Sequence, residues 1–186
     1  YTVEISNPLY TEADFTFNGD STVSGIDAGT YPMELTPEDF TNTNDNFTNV
    51  QFVIENGELT INQIGVTVTI TENSGVHNYD GEEHTVTGYT VEISNPLYTT
   101  NDFTFNGNAE VSGINAGTYP MELTAANFTN TNDNFENVTF VIVNGELTIN
   151  PIGVTVTITE NSGEYDYDSE EHTVTGYTVE ISNPLY

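Results

Sequence analysis

The most unusual property of this sequence is that it contains no lysine and no arginine. Its 186 residues include 29 Asp and Glu and three His, which gives a formal net charge of −29 at pH 7. A surface of this sign repels nucleic acid and anionic lipid, so neither is expected as a partner. Charged residues are only 16% of the chain, below the roughly 25% of ordinary domains. The anomaly is therefore the missing cations rather than an excess of anions.

Cysteine is also absent, which excludes disulfide bonds. No apolar run is long enough to span a bilayer, so direct membrane insertion is not expected. With no Lys or Arg salt bridges and no covalent cross-links, stability has to come from packed apolar faces and backbone pairing.

The dominant feature that is present is an internal repeat. The ten residues YTVEISNPLY occur at positions 1–10, 89–98 and 177–186, a period of 88 residues. Residues 1–88 and 89–176 are identical at 71 of 88 positions. Self-similarity at a fixed spacing indicates tandem structural units, and 88 residues are enough for a small core in each unit.

The best candidate boundary between units is the segment Asn62–Gly65, which recurs as Asn150–Gly153. Pro and Gly between two alternating runs mark a break in a strand. We therefore predict a complete domain at 64–150, an incomplete one at 1–62 that lacks its first strands, and the first strands of another at 152–186. On this interpretation the sequence is a window onto a longer array, and any targeting or anchoring segment would lie outside it.

Within one unit the pattern is strand after strand. In Val66–Thr71 apolar residues alternate with threonine, as in a half-buried strand. The phase of alternation flips at Gly88, which predicts a bulge or bend there. Pro120 lies within a run and predicts an edge strand. Six or seven short strands favour an all-β fold of small antiparallel, immunoglobulin-like sandwiches; a β-grasp-like arrangement is the alternative.

Two local signals complete the prediction. Asn144-Gly145, like Asn56-Gly57 in the other copy, lies between alternating runs and predicts a β-hairpin. The segment 125–134 contains Ala-Ala-Asn followed by an Asn-rich stretch. It predicts one helical turn that leads into a loop.

The residues that could carry catalysis are few. A nucleophilic site needs a Ser, Thr or Cys beside a base, and the histidines are His77, His84 and His172. His84 and His172 each follow a Glu-Glu pair at a predicted strand start and are interpreted as exposed strand-edge residues. His77 corresponds to Tyr165, so the repeat does not require it. We predict no enzymatic activity.

Calcium is the one cofactor for which the sequence offers candidates. Asp166, Asp168 and Glu170 place carboxylates at alternate positions, and Asp80 and Glu82 occupy the matching stretch of the other copy. Carboxylate oxygens are the ligands that Ca²⁺ prefers. Neither stretch matches the Asp-x-Asp-x-Asp-Gly loop that ends in Glu, so a solvated acidic turn is the favoured interpretation.

Several motifs together resemble a known family. They are Tyr79-Asp80-Gly81, Thr85–Tyr89, Asn115–Tyr119 and Asn144–Ile149, with counterparts in the other copy. The chain resembles the MBG-type repeats of bacterial surface proteins over nearly the whole unit. The resemblance implies an extracellular location at the cell surface, in a stalk of stacked β domains within a large adhesin-like protein.

Three functional interpretations follow from the repeat. The first is a structural stalk whose partners are its neighbouring repeats. The second is a multivalent module in which every unit binds host glycan or protein weakly, with Tyr79 and Tyr167 as candidate contacts. The third is a filament subunit, because residues 152–176 contain the strands that 1–62 lacks. Against the third, Tyr177–Tyr186 duplicates Tyr1–Tyr10 and would compete with it for one position.

Overall fold

The computed structural model describes residues 1–186, which fold into two compact units. Unit 1 comprises residues 1–66 together with 130–139, and unit 2 comprises 67–129 together with 140–186. Regular structure consists almost entirely of short strands and three single 3-10 turns, so the prediction of an all-β fold is confirmed.

The strands are numbered in chain order. They are β1 (Phe15–Phe17), β2 (Gly29–Pro32), β3 (Phe40–Asn42), β4 (Glu58–Ile61), β5 (Thr67–Glu72), β6 (Gly75–Asn78), β7 (His84–Thr87), β8 (Tyr89–Ile93), β9 (Phe103–Phe105), β10 (Glu110–Gly113), β11 (Gly117–Pro120), β12 (Phe128–Asn130), β13 (Thr139–Val143), β14 (Glu146–Asn150), β15 (Val156–Glu160) and β16 (Tyr177–Ile181). The 3-10 turns are Glu12–Asp14, Pro37–Asp39 and Ala125–Asn127.

Strand β5 is the centre of a three-stranded sheet in the order β13-β5-β8. It runs antiparallel to β8, with Val68 opposite Ile93 and Ile70 opposite Val91. The alternation predicted for this segment is present: Val68 and Ile70 are fully buried, while Thr67 and Thr71 are exposed. The central position of β5 means that both of its edges are hydrogen-bonded and its apolar face forms part of the core.

The second three-stranded sheet has the order β11-β14-β6, with β14 in the centre. Its inward residues Leu147 and Ile149 are almost completely buried. Strand β11 is antiparallel to β14, whereas β6 is parallel to it, which departs from a purely antiparallel arrangement. Pro120 ends β11 at the edge of this sheet, so the prediction of an edge strand is confirmed.

Gly88 separates strands that belong to different sheets. Strand β7 pairs with β10, while β8, immediately after the glycine, pairs with β5. Gly88 has φ +84°, a conformation that glycine adopts without steric cost. The phase flip seen in the sequence therefore reports a real bend of the chain from one sheet into the next.

The hairpin predicted at Asn144-Gly145 is wrong. Strands β13 and β14 on either side of it lie in different sheets and are not paired with each other. Gly145 is required for another reason: a Cβ there would lie 2.7 Å from the carbonyl oxygen of Glu72 and closer still to that of Asn73. The glycine permits a close approach of two backbones rather than a tight turn.

The helical turn predicted at the start of 125–134 is confirmed as the 3-10 turn Ala125–Asn127. The side chain of Asn127 accepts a hydrogen bond from the Thr124 N–H at 2.8 Å. The first repeat places Asp39 and Thr36 in the same relation at 2.7 Å. A Thr-x-x-Asp or Thr-x-x-Asn sequence thus closes each turn through a local side-chain bond.

Unit 1 has a smaller set of strands. Strand β1 pairs with β3, and β2 pairs with β4, all antiparallel. Segments 1–5 and 50–55 are not strands, although their counterparts 89–93 and 138–143 form β8 and contain the whole of β13. In unit 2 both of these strands pair with β5. Residues 1–62 contain no counterpart of β5, and this accounts for the missing ladders.

Residues 152–186 form a two-stranded antiparallel sheet of β15 and β16. Every residue of both strands is exposed. Twelve residues of this segment, 152–163, are identical in sequence to 64–75. Val68, Ile70 and Glu72 are therefore buried in β5, whereas the matching Val156, Ile158 and Glu160 are exposed in β15.

Candidate functional site

The acidic turns predicted as calcium candidates have a defined local geometry. The Asp80 Oδ1 atom accepts hydrogen bonds from the Glu82 N–H at 2.9 Å and from the His84 Nε2 at 3.0 Å. The Glu82 amide, and to a lesser extent His84, hold the pKa of Asp80 below its usual value. One carboxylate oxygen thus fixes both the turn and the first residue of β7.

The second copy repeats this geometry. The Asp168 Oδ1 atom accepts from the Glu170 N–H and from the His172 Nε2, both at 2.9 Å. Glu82 and Glu170 therefore enter the turns through their backbone amides, and Asp166 is exposed nearby. No group of three or more His, Asp and Glu side chains is arranged to hold a metal ion. The interpretation of Asp80, Asp168 and their neighbours as solvated acidic turns, with calcium as the alternative, stays a prediction.

Each turn also carries an aromatic stack that the sequence did not reveal. The rings of His77 and His84 stack with centroids 4.1 Å apart, and those of Tyr165 and His172 stack at 4.3 Å. The repeat therefore conserves a flat ring at this position rather than a histidine. His84 was predicted to be exposed, but the structure shows that it is half-buried. The His84 ring is hydrogen-bonded to Asp80 and stacked on His77, so it stabilises the turn.

The most deeply buried charged side chain is that of Glu72, at the end of β5. It is 3% exposed. Its Oε1 accepts a hydrogen bond from the Leu123 N–H, and its Oε2 accepts one from the Gly145 N–H, each at 2.7 Å. The chain has no Lys or Arg, and the hydrogen bonds that this buried carboxylate accepts come from these two backbone amides.

The Glu72 carboxylate connects β5 to two distant parts of unit 2. Leu123 lies 51 residues away and Gly145 lies 73 residues away. The sequence carried one signal for this bond. Glu72 falls in the same alternation phase as the buried Val68 and Ile70, and a charged residue in that phase needs a buried partner. We name this arrangement the carboxylate clip.

Unit 1 contains the counterparts of the segments that flank β5 in unit 2, but it contains no counterpart of β5 itself. A groove of about 560 Å³ lies between segments 1–5 and 50–55. Leu35, Phe40 and Phe52 line it; they are only half-buried. Gly57, the counterpart of Gly145, has no atom within 4 Å of where a Cβ would be. The position that Glu72 and Asn73 occupy in unit 2 is therefore open in unit 1.

A further set of bonds within unit 1 joins the two repeats of the sequence. The Asn134 side chain accepts from the Ala28 N–H at 2.5 Å and donates to the Asp27 carboxylate at 2.9 Å. The Ile64 N–H donates to the Asn134 carbonyl at 3.2 Å. The Asn-rich loop of one repeat is thus hydrogen-bonded to the Asp-Ala loop of the repeat before it.

The tandem repeats and the all-β sheets are typical of a structural repeat protein. A family model for the MBG domain matches residues 1–63 and 66–151. The chain belongs to the MBG domain family, a structural repeat family found in bacterial surface proteins and not an enzyme family. No curated protein and no solved structure matches this chain. None of its helices has the length and apolarity to span a bilayer.

Proposed function

We propose that this chain is a stalk segment of a large bacterial surface protein, located outside the cell, that holds a binding region away from the surface. Its immediate partners are neighbouring repeats of the same chain. The observation that carries the proposal is the placement of the terminal strands of the complete repeat.

The first and the last strand of that repeat are each central in a three-stranded sheet. Strand β5 is bonded to β13 and β8, and β14 is bonded to β11 and β6. Tension applied through the ends of a repeat acts on these two strands, each held along both edges. The carboxylate clip adds two charge-assisted bonds at the end of β5. Such bonds are about twice as strong as neutral ones.

The bonds between repeats support the same function. Asn134 binds both the backbone and the side chain of the Asp27-Ala28 loop. The connection at Gln63-Ile64 is also bonded, with the Gln63 side chain donating to the Asp133 carbonyl at 2.6 Å. A stalk requires hydrogen-bonded connections of this kind, because repeats joined by a flexible linker would not keep a fixed orientation along the array.

Single-molecule force spectroscopy on the 186-residue chain tests the proposal. The complete repeat is expected to unfold in one discrete step that releases about 30 nm of chain, at roughly 3.3–3.6 Å per residue. Glu72→Ala is expected to lower the unfolding force, and Glu160→Ala, at an exposed position of identical local sequence, to leave it unchanged. Gradual extension without a discrete step would contradict a mechanical role.

The alternative is a multivalent adhesive module for host glycan or protein. One observation favours it: Tyr167 is 93% exposed within an acidic turn, and an exposed aromatic ring is a suitable platform for a sugar. A glycan array or mucin pull-down with the chain distinguishes the two functions. Binding that is lost in Tyr167→Ala supports adhesion by the repeats, and no binding leaves the stalk as the function.

A further inference from the structure

An asparagine that is followed by glycine loses its side-chain amide readily, because glycine has no side chain to hinder the reaction and its backbone turns easily. The chain contains four such pairs, which begin at positions 18, 56, 106 and 144. Asn106-Gly107 and Asn144-Gly145 both lie in unit 2, so both share the overall stability of that unit. The local structure around each glycine therefore decides which of the two reacts.

Deamidation of such a pair consumes only water. The backbone nitrogen of the glycine attacks the Cγ atom of the asparagine, the Cγ–Nδ2 bond breaks, and ammonia leaves with the proton that the glycine N–H has lost. Water then opens the five-membered imide at one of its two carbonyls and gives aspartate or isoaspartate. The glycine N–H must therefore lose its proton, and its nitrogen must turn toward the asparagine side chain.

Both requirements are blocked at Asn144-Gly145. The Gly145 N–H donates to the Glu72 Oε2 at 2.7 Å, and the Gly145 carbonyl accepts from the Met121 N–H at 3.1 Å, so the glycine is held on both sides. The carboxylate also opposes loss of the N–H proton, because a second negative charge would form beside it. Gly145 is buried against the backbone of residues 72 and 73, which leaves its nitrogen no room to turn.

Neither restraint is present at Asn106-Gly107. Both residues are exposed, and the Gly107 N–H forms no hydrogen bond. The pair directly follows the end of β9, and the Asn106 N–H donates to the Asn127 carbonyl at 2.8 Å. The backbone of the asparagine is thus held in place, whereas the nitrogen of the glycine that follows it is not.

We propose that Asn106 is a site of spontaneous deamidation in the folded protein, and that the carboxylate clip protects Asn144 from the same reaction. The reactive geometry at Asn144 requires that at least one charge-assisted hydrogen bond break, which slows the reaction by at least about tenfold. The clip thus protects the segment that it holds against chemical change. This inference does not rest on the proposed stalk function, because it concerns the chemistry of an amide rather than resistance to force.

The two sites also differ in what their reaction would do to the fold. Isoaspartate adds a methylene group to the backbone. At Asn144 this would push Gly145 out of its close contact with the backbone of residues 72 and 73, where even a Cβ does not fit. At Asn106 the change falls in an exposed segment between β9 and β10. The protected site is therefore the one at which deamidation would break the clip.

Peptide mapping by mass spectrometry, after incubation of the 186-residue chain in mildly alkaline buffer, is the test. The chain has no Lys or Arg for trypsin, so a protease that cuts after glutamate is used, at mildly acidic pH where deamidation is slow. Asn106 is expected to convert to aspartate and isoaspartate, and Asn144 to convert at least about tenfold more slowly. A rate at Asn144 equal to or above that at Asn106 overturns the proposal.

Two variants separate the clip from the general stability of unit 2. Glu72→Ala removes the acceptor of the Gly145 N–H and is expected to raise the rate at Asn144 at least about tenfold, with no change at Asn106. Val68→Ala removes buried methyl groups of β5 and destabilises unit 2 without altering the clip, so Asn144 should stay protected. An equal acceleration by Val68→Ala would refute protection by the clip.

The parent chain unfolded in urea provides a measurement that does not depend on the folding of any variant. Without the clip, each asparagine precedes a flexible glycine, and the rates at Asn106 and Asn144 are expected to converge. A slow rate at Asn144 that persists in urea would show that its neighbours in sequence, rather than Glu72, protect it, and the proposal would be wrong.

Discussion

Replacing Glu72 with alanine removes the carboxylate clip while leaving every strand sequence otherwise intact. Each charge-assisted bond contributes about 1.5–3 kcal/mol, and each buried amide left without an acceptor costs about 1–3 kcal/mol. Removing the carboxylate also removes the cost of its burial, which offsets part of the loss. We expect unit 2 to lose about 2–4 kcal/mol of unfolding free energy, a fall in Tm of at least about 8 °C.

Scanning calorimetry is the suitable assay, because the two compact units are expected to contribute separate transitions. The transition of unit 2 should move, while that of unit 1, which lacks a counterpart of Glu72, should stay. Glu72→Gln keeps one carbonyl acceptor and is expected to give an intermediate loss.

The matched control is Glu160→Ala, which removes an exposed glutamate from the same local sequence. It is expected to change stability by no more than about 0.5 kcal/mol. If Glu72→Ala melted within about 2 °C of the parent chain, the two amide bonds would contribute nothing, and the reasoning on the clip would be refuted.

Three further predictions concern single sites. Gly145→Ala is expected to destabilise unit 2 by about 1–3 kcal/mol through overpacking, whereas Gly57→Ala, in open space, should leave the melting curve of the free chain unchanged. Asn134→Ala removes the acceptor of the Ala28 N–H, so that amide should exchange faster with deuterium; unchanged exchange would exclude the bond. Asp14 has its pKa lowered from 3.8, chiefly by the Thr11 amide. Its contribution to stability is therefore full above pH 3.8 and is lost as pH falls further, and Asp14→Asn should flatten that part of the Tm–pH curve.

Much of the fold was readable from local patterns. Alternation at Val66–Thr71 predicted a strand because one face of β5 packs in the core and the other meets solvent. The phase flip at Gly88 and the proline at Pro120 each reported a backbone constraint that operates within a few residues. Signals of this kind depend on nearest neighbours along the chain, so sequence reasoning reaches them.

The features that escaped prediction depend on residues far apart in sequence. Gly145 was interpreted as a hairpin glycine, although its role is to let the backbone at Glu72 and Asn73 approach. The strand predicted at Val66–Thr71 stops one residue short of Glu72, and a charged residue at a strand end usually faces water. The two partners of Glu72 are amides, which carry no side-chain signature. The ring stack on His84 joins residues that are close in sequence and escaped for a different reason: its partner is His77 in one copy, and the matching partner in the other copy is Tyr165.

The central position of β5 also determines when a repeat is able to finish folding. Its neighbour β13 begins at Thr139, and its clip closes on Gly145, 73 residues along the chain. During synthesis, β5 is the first strand of its repeat to be made, and its sheet cannot be completed until almost the whole repeat has been synthesised. Contacts this distant in sequence slow folding. The sequence of β8, the partner of β5, also occurs at residues 1–5 and 177–181, so pairing with the wrong repeat competes with correct folding until the sheet is complete.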